Sequence, residues 1–254
     1  MTKSRDTANI IKQPFTQTLG TSNYRAGVNA GNSITSGGNF NVTVGDEAGT
    51  AITTGDRNVT IGFEAGTAIS TGGSNIAIGY QALKTEDGHG LNVAIGEESL
   101  ENLNAGADGY NVAVGASAGK NMTTGIQNTF VGGLAGDALT VGGNNVALGH
   151  LALSADTQGS SSVAVGMSAL TAQNSTSEAN MYNVAVGRSA GASVTTGTEN
   201  TLIGGLAGDA MTTGSYNTAV GKDSSGKVTT GSHNVSVGRM ALRETTTGSY
   251  NTAL

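Results

Sequence analysis

The chain has 254 residues, no cysteine, one proline and 41 glycines, and its 12 basic against 18 acidic residues leave a formal net charge of −6. Disulfide stapling and cysteine-held metal are thereby excluded, and so is a collagen helix, because the glycines do not recur at every third residue. The acidic balance offers no basic patch for a phosphate backbone, so nucleic acid is not an expected partner, and no apolar run approaches the ~18 residues of a membrane span, so membrane insertion is not expected either.

Residues 1–22 lack the repeat that organises the rest of the chain. Met1 to Phe15 is polar and charged, without the apolar core of a secretory signal peptide, and includes Pro14. An extended N-terminal arm is expected here.

From Asn23 onward the segment Asn-hydrophobic-small-hydrophobic-Gly returns along the chain, blurred at Asn23 and clear from Asn41. It recurs at Asn58, Asn75, Asn92, Asn111, Asn128, Asn145, Ser162, Asn183, Asn200, Asn217, Asn234 and Asn251, mostly at seventeen-residue intervals. A period this short predicts a stack of coils, each too small to bury a core alone. Numbered from the Asn, positions 2 and 4 are large and mostly β-branched, whereas position 3 is Ala in eight of thirteen copies. Alternation with period two marks a strand. The bulky pair is expected to face the coil interior and the Ala column to face outward, where its small side chains admit a second and third chain. Gly at position 5 ends this strand, and Thr-Thr-Gly at positions 13–15 turns the chain back, giving an expected two strands and two turns per coil. Stacking at ~4.8 Å makes a rod of roughly 65 Å, with the position-1 Asn residues forming a hydrogen-bonded ladder.

Positions 9 and 12 exchange volume. Gly49, Gly66, Gly119, Gly136, Gly191 and Gly208 are followed three residues later by a hydrophobe, whereas Leu83, Leu153, Leu170 and Leu242 are followed by Glu86, Asp156, Gln173 and Thr245. A close-packed interior resists both voids and excess volume, so one hydrophobe per slot is expected. Leu100 with Leu103 breaks the pattern, and one of the two is expected nearer the surface. Large apolar side chains are few in each coil, so hydrogen bonds between coils and burial of another face must also contribute.

The position-9 pattern groups the coils in fours, with blocks starting near residues 41, 111 and 183. The first two blocks close on extended turns, residues 102–110 and 171–182, where the interval lengthens to nineteen and twenty-one. Loops on a rigid scaffold are where binding residues collect. Asn104, Asp108, Tyr110, Asn174, Glu178 and Tyr182 are therefore candidate receptor contacts.

The repeats of residues 217–221 (Asn-Thr-Ala-Val-Gly) and 246–254 (Thr-Thr-Gly-Ser-Tyr-Asn-Thr-Ala-Leu) resemble the Gly-rich repeats of trimeric phage tail fibres and of bacterial surface proteins that end in an intramolecular chaperone domain. They are also similar to the head of trimeric autotransporter adhesins, a trimeric parallel β-roll with Asn-x-Val-Ala-Ile-Gly motifs. The likeness covers residues 23–254. The seventeen-residue coil is nearer to the tail-fibre unit, and neither the autotransporter's signal peptide nor its membrane anchor is expected. The opening Lys3-Ser4-Arg5-Asp6-Thr7-Ala8 resembles the start of tail proteins of tailed phages. That likeness implies that the arm docks to the tail, with Ile10, Ile11 and Phe15 as anchoring hydrophobes and Arg5 and Asp6 as polar partners.

Candidate chemistry is sparse. His89, His150 and His233 share no column, so no metal site and no cofactor is expected. The pairs Asp46-Glu47 and Glu97-Glu98 are adjacent at a strand end, which suits neither geometry of glycoside hydrolysis. No Trp is present and aromatics are few, so a sugar-stacking platform is not expected. The Gly-rich segments lack the Lys of a phosphate-binding loop.

The resulting expectation is an all-β protein. It comprises a parallel β-solenoid or β-roll of about 14 coils over residues 23–254, assembled as a homotrimer, with residues 1–22 as a virion-anchoring arm. The expected function is a structural phage tail fibre in the virion tail, without enzymatic activity. Its expected partners are itself, tail or adaptor proteins, and a host-surface glycan or protein. A bacterial surface adhesin is the alternative. An ice-binding solenoid with a Thr hydroxyl ladder comes third, disfavoured by interruptions at Gly88, Asn104 and Gly159.

Overall fold

A computed structural model describes residues 20–254 of the chain. It is a parallel β-solenoid containing fourteen short strands in one sheet. The first seven are β1 (Tyr24–Ala26), β2 (Val42–Val44), β3 (Val59–Ile61), β4 (Ile76–Ile78), β5 (Val93–Ile95), β6 (Val112–Val114) and β7 (Thr129–Val131). They continue as β8 (Val146–Leu148), β9 (Val163–Val165), β10 (Val184–Val186), β11 (Thr201–Ile203), β12 (Thr218–Val220), β13 (Val235–Val237) and β14 (Thr252–Ala253). Spatial order follows chain order. Each coil contributes one strand and not the expected two, because positions 13–15 form a turn.

Register is preserved throughout. Val93 pairs with Val112 and Val163 with Val184, so both lengthened coils return to the same column. The constraint that holds it is the Asn column, which is buried along the shaft. Asn41 Oδ1 accepts the backbone N–H of Asn58 at 2.8 Å, and Asn58 Oδ1 accepts that of Asn75 at 3.0 Å. In the regular coils the amide nitrogen meanwhile donates to the carbonyl fourteen residues on, as Asn128 does to Gly142 at 3.0 Å, whereas Asn92 of the first lengthened coil donates to Gly90. One side chain therefore bridges two coils and closes its own, which satisfies backbone groups that burial would otherwise leave unpaired.

At the Thr turn, hydroxyls donate to carbonyls of the following coil: Thr123 to Thr140 at 3.1 Å, Thr140 to Thr157 at 2.7 Å. Position 5 admits only Gly. Its φ lies between +122° and +141° along the column, and a Cβ on Gly79 would sit 2.4 Å from the Gly96 carbonyl oxygen.

The faces of the strand are the reverse of the sequence expectation. Position 3 points inward: Ala77, Ala94, Ala113, Phe130, Ala147, Ala164, Ala185 and Leu202 have no exposed surface. Positions 2 and 4 point outward and are only half-buried or exposed, with Val131, Ile203 and Val237 at about 40%. The reason is space. A seventeen-residue coil is thin, and its interior is already occupied by the Ala at position 8 and by positions 9 and 12, so the strand has room inside for a small residue. The β-branched columns still suit a strand, because in-register side chains shield one another along the ladder.

Volume exchange consequently involves three columns and crosses between coils. Where position 3 is large, the glycines at position 9 make way: a Cβ on Gly136 would lie 2.7 Å from the Phe130 ring, and one on Gly119 would lie 2.9 Å from it. Leu202 is accommodated in the same way by Gly191 and Gly208. Leu100 and Leu103 are both fully buried, contrary to expectation. Ala94 is small, and Gly119 of the next coil leaves space beside Leu100.

Two outcomes are expected. Asn128→Ala strands the Asn145 N–H and the Gly142 carbonyl, and should cost about 2–5 kcal/mol in urea denaturation; an unchanged midpoint would remove the ladder from its structural role. Phe130→Ala should cost about 3–5 kcal/mol. Adding Gly136→Leu gives positions 3, 9 and 12 the residue types of Ala94, Leu100 and Leu103 and places a Leu one coil before Leu153, as Leu83 stands before Leu100, and Leu100 already holds the left-handed φ of +48° that this position needs. The double variant should regain at least half of the loss, and a double variant weaker than both singles would refute exchange between columns 3 and 9.

Candidate functional site

The six candidate turn residues, Asn104, Asp108, Tyr110, Asn174, Glu178 and Tyr182, are all exposed. Because β5 and β9 stack in register with three strands between them, the two turns project from the same side of the rod, about 19 Å apart. Arg5, Asp6, Ile10, Ile11 and Phe15 of the arm lie outside the described residues.

Each turn is hung on a buried carboxylate from the coil before it. Glu86 accepts the backbone N–H of His89 at 3.2 Å with Oε1 and that of Ala105, inside the first turn, at 3.1 Å with Oε2. Asp156 accepts from Gly159 at 2.9 Å and from Ser175, inside the second turn, at 3.1 Å. Both side chains are fully buried. The polar position-12 residues are thus not mere fillers of a slot held by Leu. They satisfy N–H groups that the irregular turns leave without a ladder partner. In the third block the corresponding residue is Val228, and the coil that follows keeps its regular length.

Gln173 extends the second anchor. Its amide nitrogen donates to Asp156 and to Ser162 Oγ, while its oxygen accepts from Asn183. Ser162 is the one position-1 residue of the shaft that is not Asn, and Gln173 bridges its hydroxyl to the Asn183 side chain.

Aromatic residues form short stacks on the surface. Tyr216, His233 and Tyr250 occupy position 17 of successive coils, with ring centroids 4.8 Å apart and planes within 5° of parallel. Phe63 and Tyr80 stack at 5.8 Å. Inside a stack the ring faces are engaged with each other, so edges and polar tips face outward. The Tyr216 hydroxyl bonds Glu199, which raises the phenol above its ordinary pKa. Sequence reading counted aromatics without their columns and so missed these stacks.

One grouping of metal-ligating types was also missed. Glu86, Asp87 and His89 bring one donor atom each to within 4.8 Å of the others, the only such group found among the described residues. The donors come from one turn rather than one column, so a search for stacked histidines passes over them.

The remaining surface of note is the outward sheet face. Val and Ile dominate positions 2 and 4 from β2 to β10, a band of half-buried apolar side chains along the rod. Among the described residues, no helix is long and apolar enough to cross a membrane. The chain matches no family model, no curated protein and no solved structure.

Burial raises the Glu86 carboxyl above its ordinary pKa. A folded pKa above the unfolded value of about 4.3 means that the folded chain binds the proton more tightly. Glu86 is therefore most favourable to stability below that pH, and its contribution declines as pH rises through the folded pKa. Glu86→Gln removes the titration. Relative to the unaltered chain, this variant should gain stability as pH rises from about 4 to 7, measured by denaturation at each pH; a constant difference would contradict the assignment.

Proposed function

We propose that the chain is the shaft of a homotrimeric fibre, a structural component of a phage tail that sets reach and supports host attachment. The observation that carries this reading is the apolar band at positions 2 and 4. A lone rod leaves Val44, Ile61, Ile78, Ile95 and Val114 at the water boundary, whereas three parallel copies with these faces turned to a common axis would cover them. Contact through the Ala column is withdrawn, since that column lies inside the coil.

The tail-fibre assignment draws support from the seventeen-residue Gly-rich repeat and from the opening Lys3-Ser4-Arg5-Asp6-Thr7-Ala8. In this reading the arm docks to the tail, and the two anchored turns present Asn104, Asp108, Tyr110, Asn174, Glu178 and Tyr182 to a host-surface glycan or protein. Rigid tethering suits that role, because a loop ordered before contact loses less entropy on binding. An ice-binding reading loses ground, since position-13 hydroxyl protons are engaged by the next coil's carbonyls.

The test separates assembly, docking and adsorption. Ile78→Glu with Ile95→Glu places unpaired charge in the proposed interface, at about 3–5 kcal/mol for each buried charge. Light scattering should show the unaltered protein as a trimer and the variant as a monomer with its β circular dichroism retained; a monomeric unaltered protein would sink the proposal. Deletion of residues 1–19 should abolish virion incorporation while leaving the shaft folded. Trimming both turns to the regular coil length should preserve incorporation and reduce host adsorption, and unchanged adsorption would discard the turns as receptor sites.

A further inference from the structure

The turn of residues 85–90 departs from the repeat at three places together. Position 12 carries Glu86, position 14 carries Gly88, and position 15 carries His89, where Gly55, Gly72, Gly125, Gly142 and Gly159 stand in other coils. The stacking role of position 15 needs only a backbone carbonyl, which His89 supplies to Asn75 at 3.0 Å. Nothing in that role calls for an imidazole.

The imidazole is nonetheless aimed inward. His89 Nδ1 is shielded from solvent and has no hydrogen-bond partner. It lies 3.5 Å from Oε1 of Glu86, whose side chain is wholly buried. Two donors bound to one tetrahedral ion at metal–ligand distances of ~2.0–2.2 Å are separated by roughly 3.3–3.6 Å. Asp87 brings a third donor atom within 4.8 Å of both. Glu86 is also held in place, because its two oxygens accept the N–H groups of His89 and Ala105. Such outer hydrogen bonds orient a ligand before the ion arrives.

We propose that Glu86, Asp87 and His89 form a binding site for a first-row divalent transition ion, with Zn²⁺ the best fit. One imidazole and two carboxylates favour Zn²⁺ over Ca²⁺ and Mg²⁺, which prefer all-oxygen shells. Three protein ligands leave further positions for water or for a group from a partner. The site adjoins the turn of residues 102–110 through the Glu86 to Ala105 bond, so a bound ion fixes the base of that turn. This inference is independent of the fibre reading, since it concerns one coil of one chain.

The test uses the full-length protein, stripped with chelator and titrated with Zn²⁺ by calorimetry at a fixed pH of about 7.5, because metal affinity depends on pH. One saturable Zn²⁺ per chain is expected, bound roughly 10-fold or more tighter than Ca²⁺. His89→Ala and Asp87→Asn should each weaken it by roughly 10-fold or more, while His150→Ala should leave it unchanged. Asp87 is exposed and His89 partly exposed, and circular dichroism verifies that the shaft persists. Absence of saturable Zn²⁺ binding would overturn the site and leave a contact between His89 and Glu86 only. Equal affinity in His89→Ala would overturn it too, by placing the ion elsewhere.

Discussion

A buried amide at the same corner of every coil is the constraint on which the shaft depends. In the regular coils the Asn at position 1 accepts a backbone N–H from the next coil and donates to the carbonyl that ends its own. Stacking and closure are thereby set by one group, and a slip of one residue would leave a run of buried polar atoms without partners. Ser162 shows how strict the requirement is. Its side chain carries no amide, and Gln173 from the other wall donates to the Ser162 hydroxyl and accepts from the Asn183 side chain.

Asn stacking also limits what the interior holds. Coils joined at this spacing enclose a narrow slot, in which a large residue on one wall demands glycine on the other, often in the neighbouring coil. Phe130 is buried between Gly119 and Gly136, and Leu202 between Gly191 and Gly208. The same narrowness sends the β-branched residues outward. The shaft is therefore made of a thin core and an outer band of half-buried apolar side chains.

Irregularity is confined and anchored. Glu86 and Asp156 each stand one coil before a lengthened turn and bond its backbone, so the added residues are held without disturbing the pairing of β5 with β6 or of β9 with β10. Burial of a carboxylate is costly unless it is hydrogen-bonded, and here the acceptors meet N–H groups that lack partners of their own. Two exposed turns on one side of a stiff rod are the consequence, and at Glu86 the anchor also gathers Asp87 and His89.

Period, parallel stacking, the coil count, the Asn ladder and the places of both long turns were legible from the sequence, because each depends on repetition, and repetition is visible in one dimension. Exchange between Gly and a hydrophobe at positions 9 and 12 was legible for the same reason. The facing of the strand was not. Alternation at Ile76-Ala77-Ile78 separates the two sides without saying which is inside; that depends on the width of the slot, set by side chains that are distant in sequence. Burial of both Leu100 and Leu103 likewise depended on Gly119 of the next coil. The roles of Glu86 and Asp156 were hidden because their partners, Ala105 and Ser175, are nineteen residues away and donate through the backbone, which carries no side-chain signature. Sequence thus determined the repeat and its register, since these follow from local pattern summed over many copies. Tertiary structure alone decided inside from outside and brought His89 to Glu86, since both depend on the volume and the path of a closed turn.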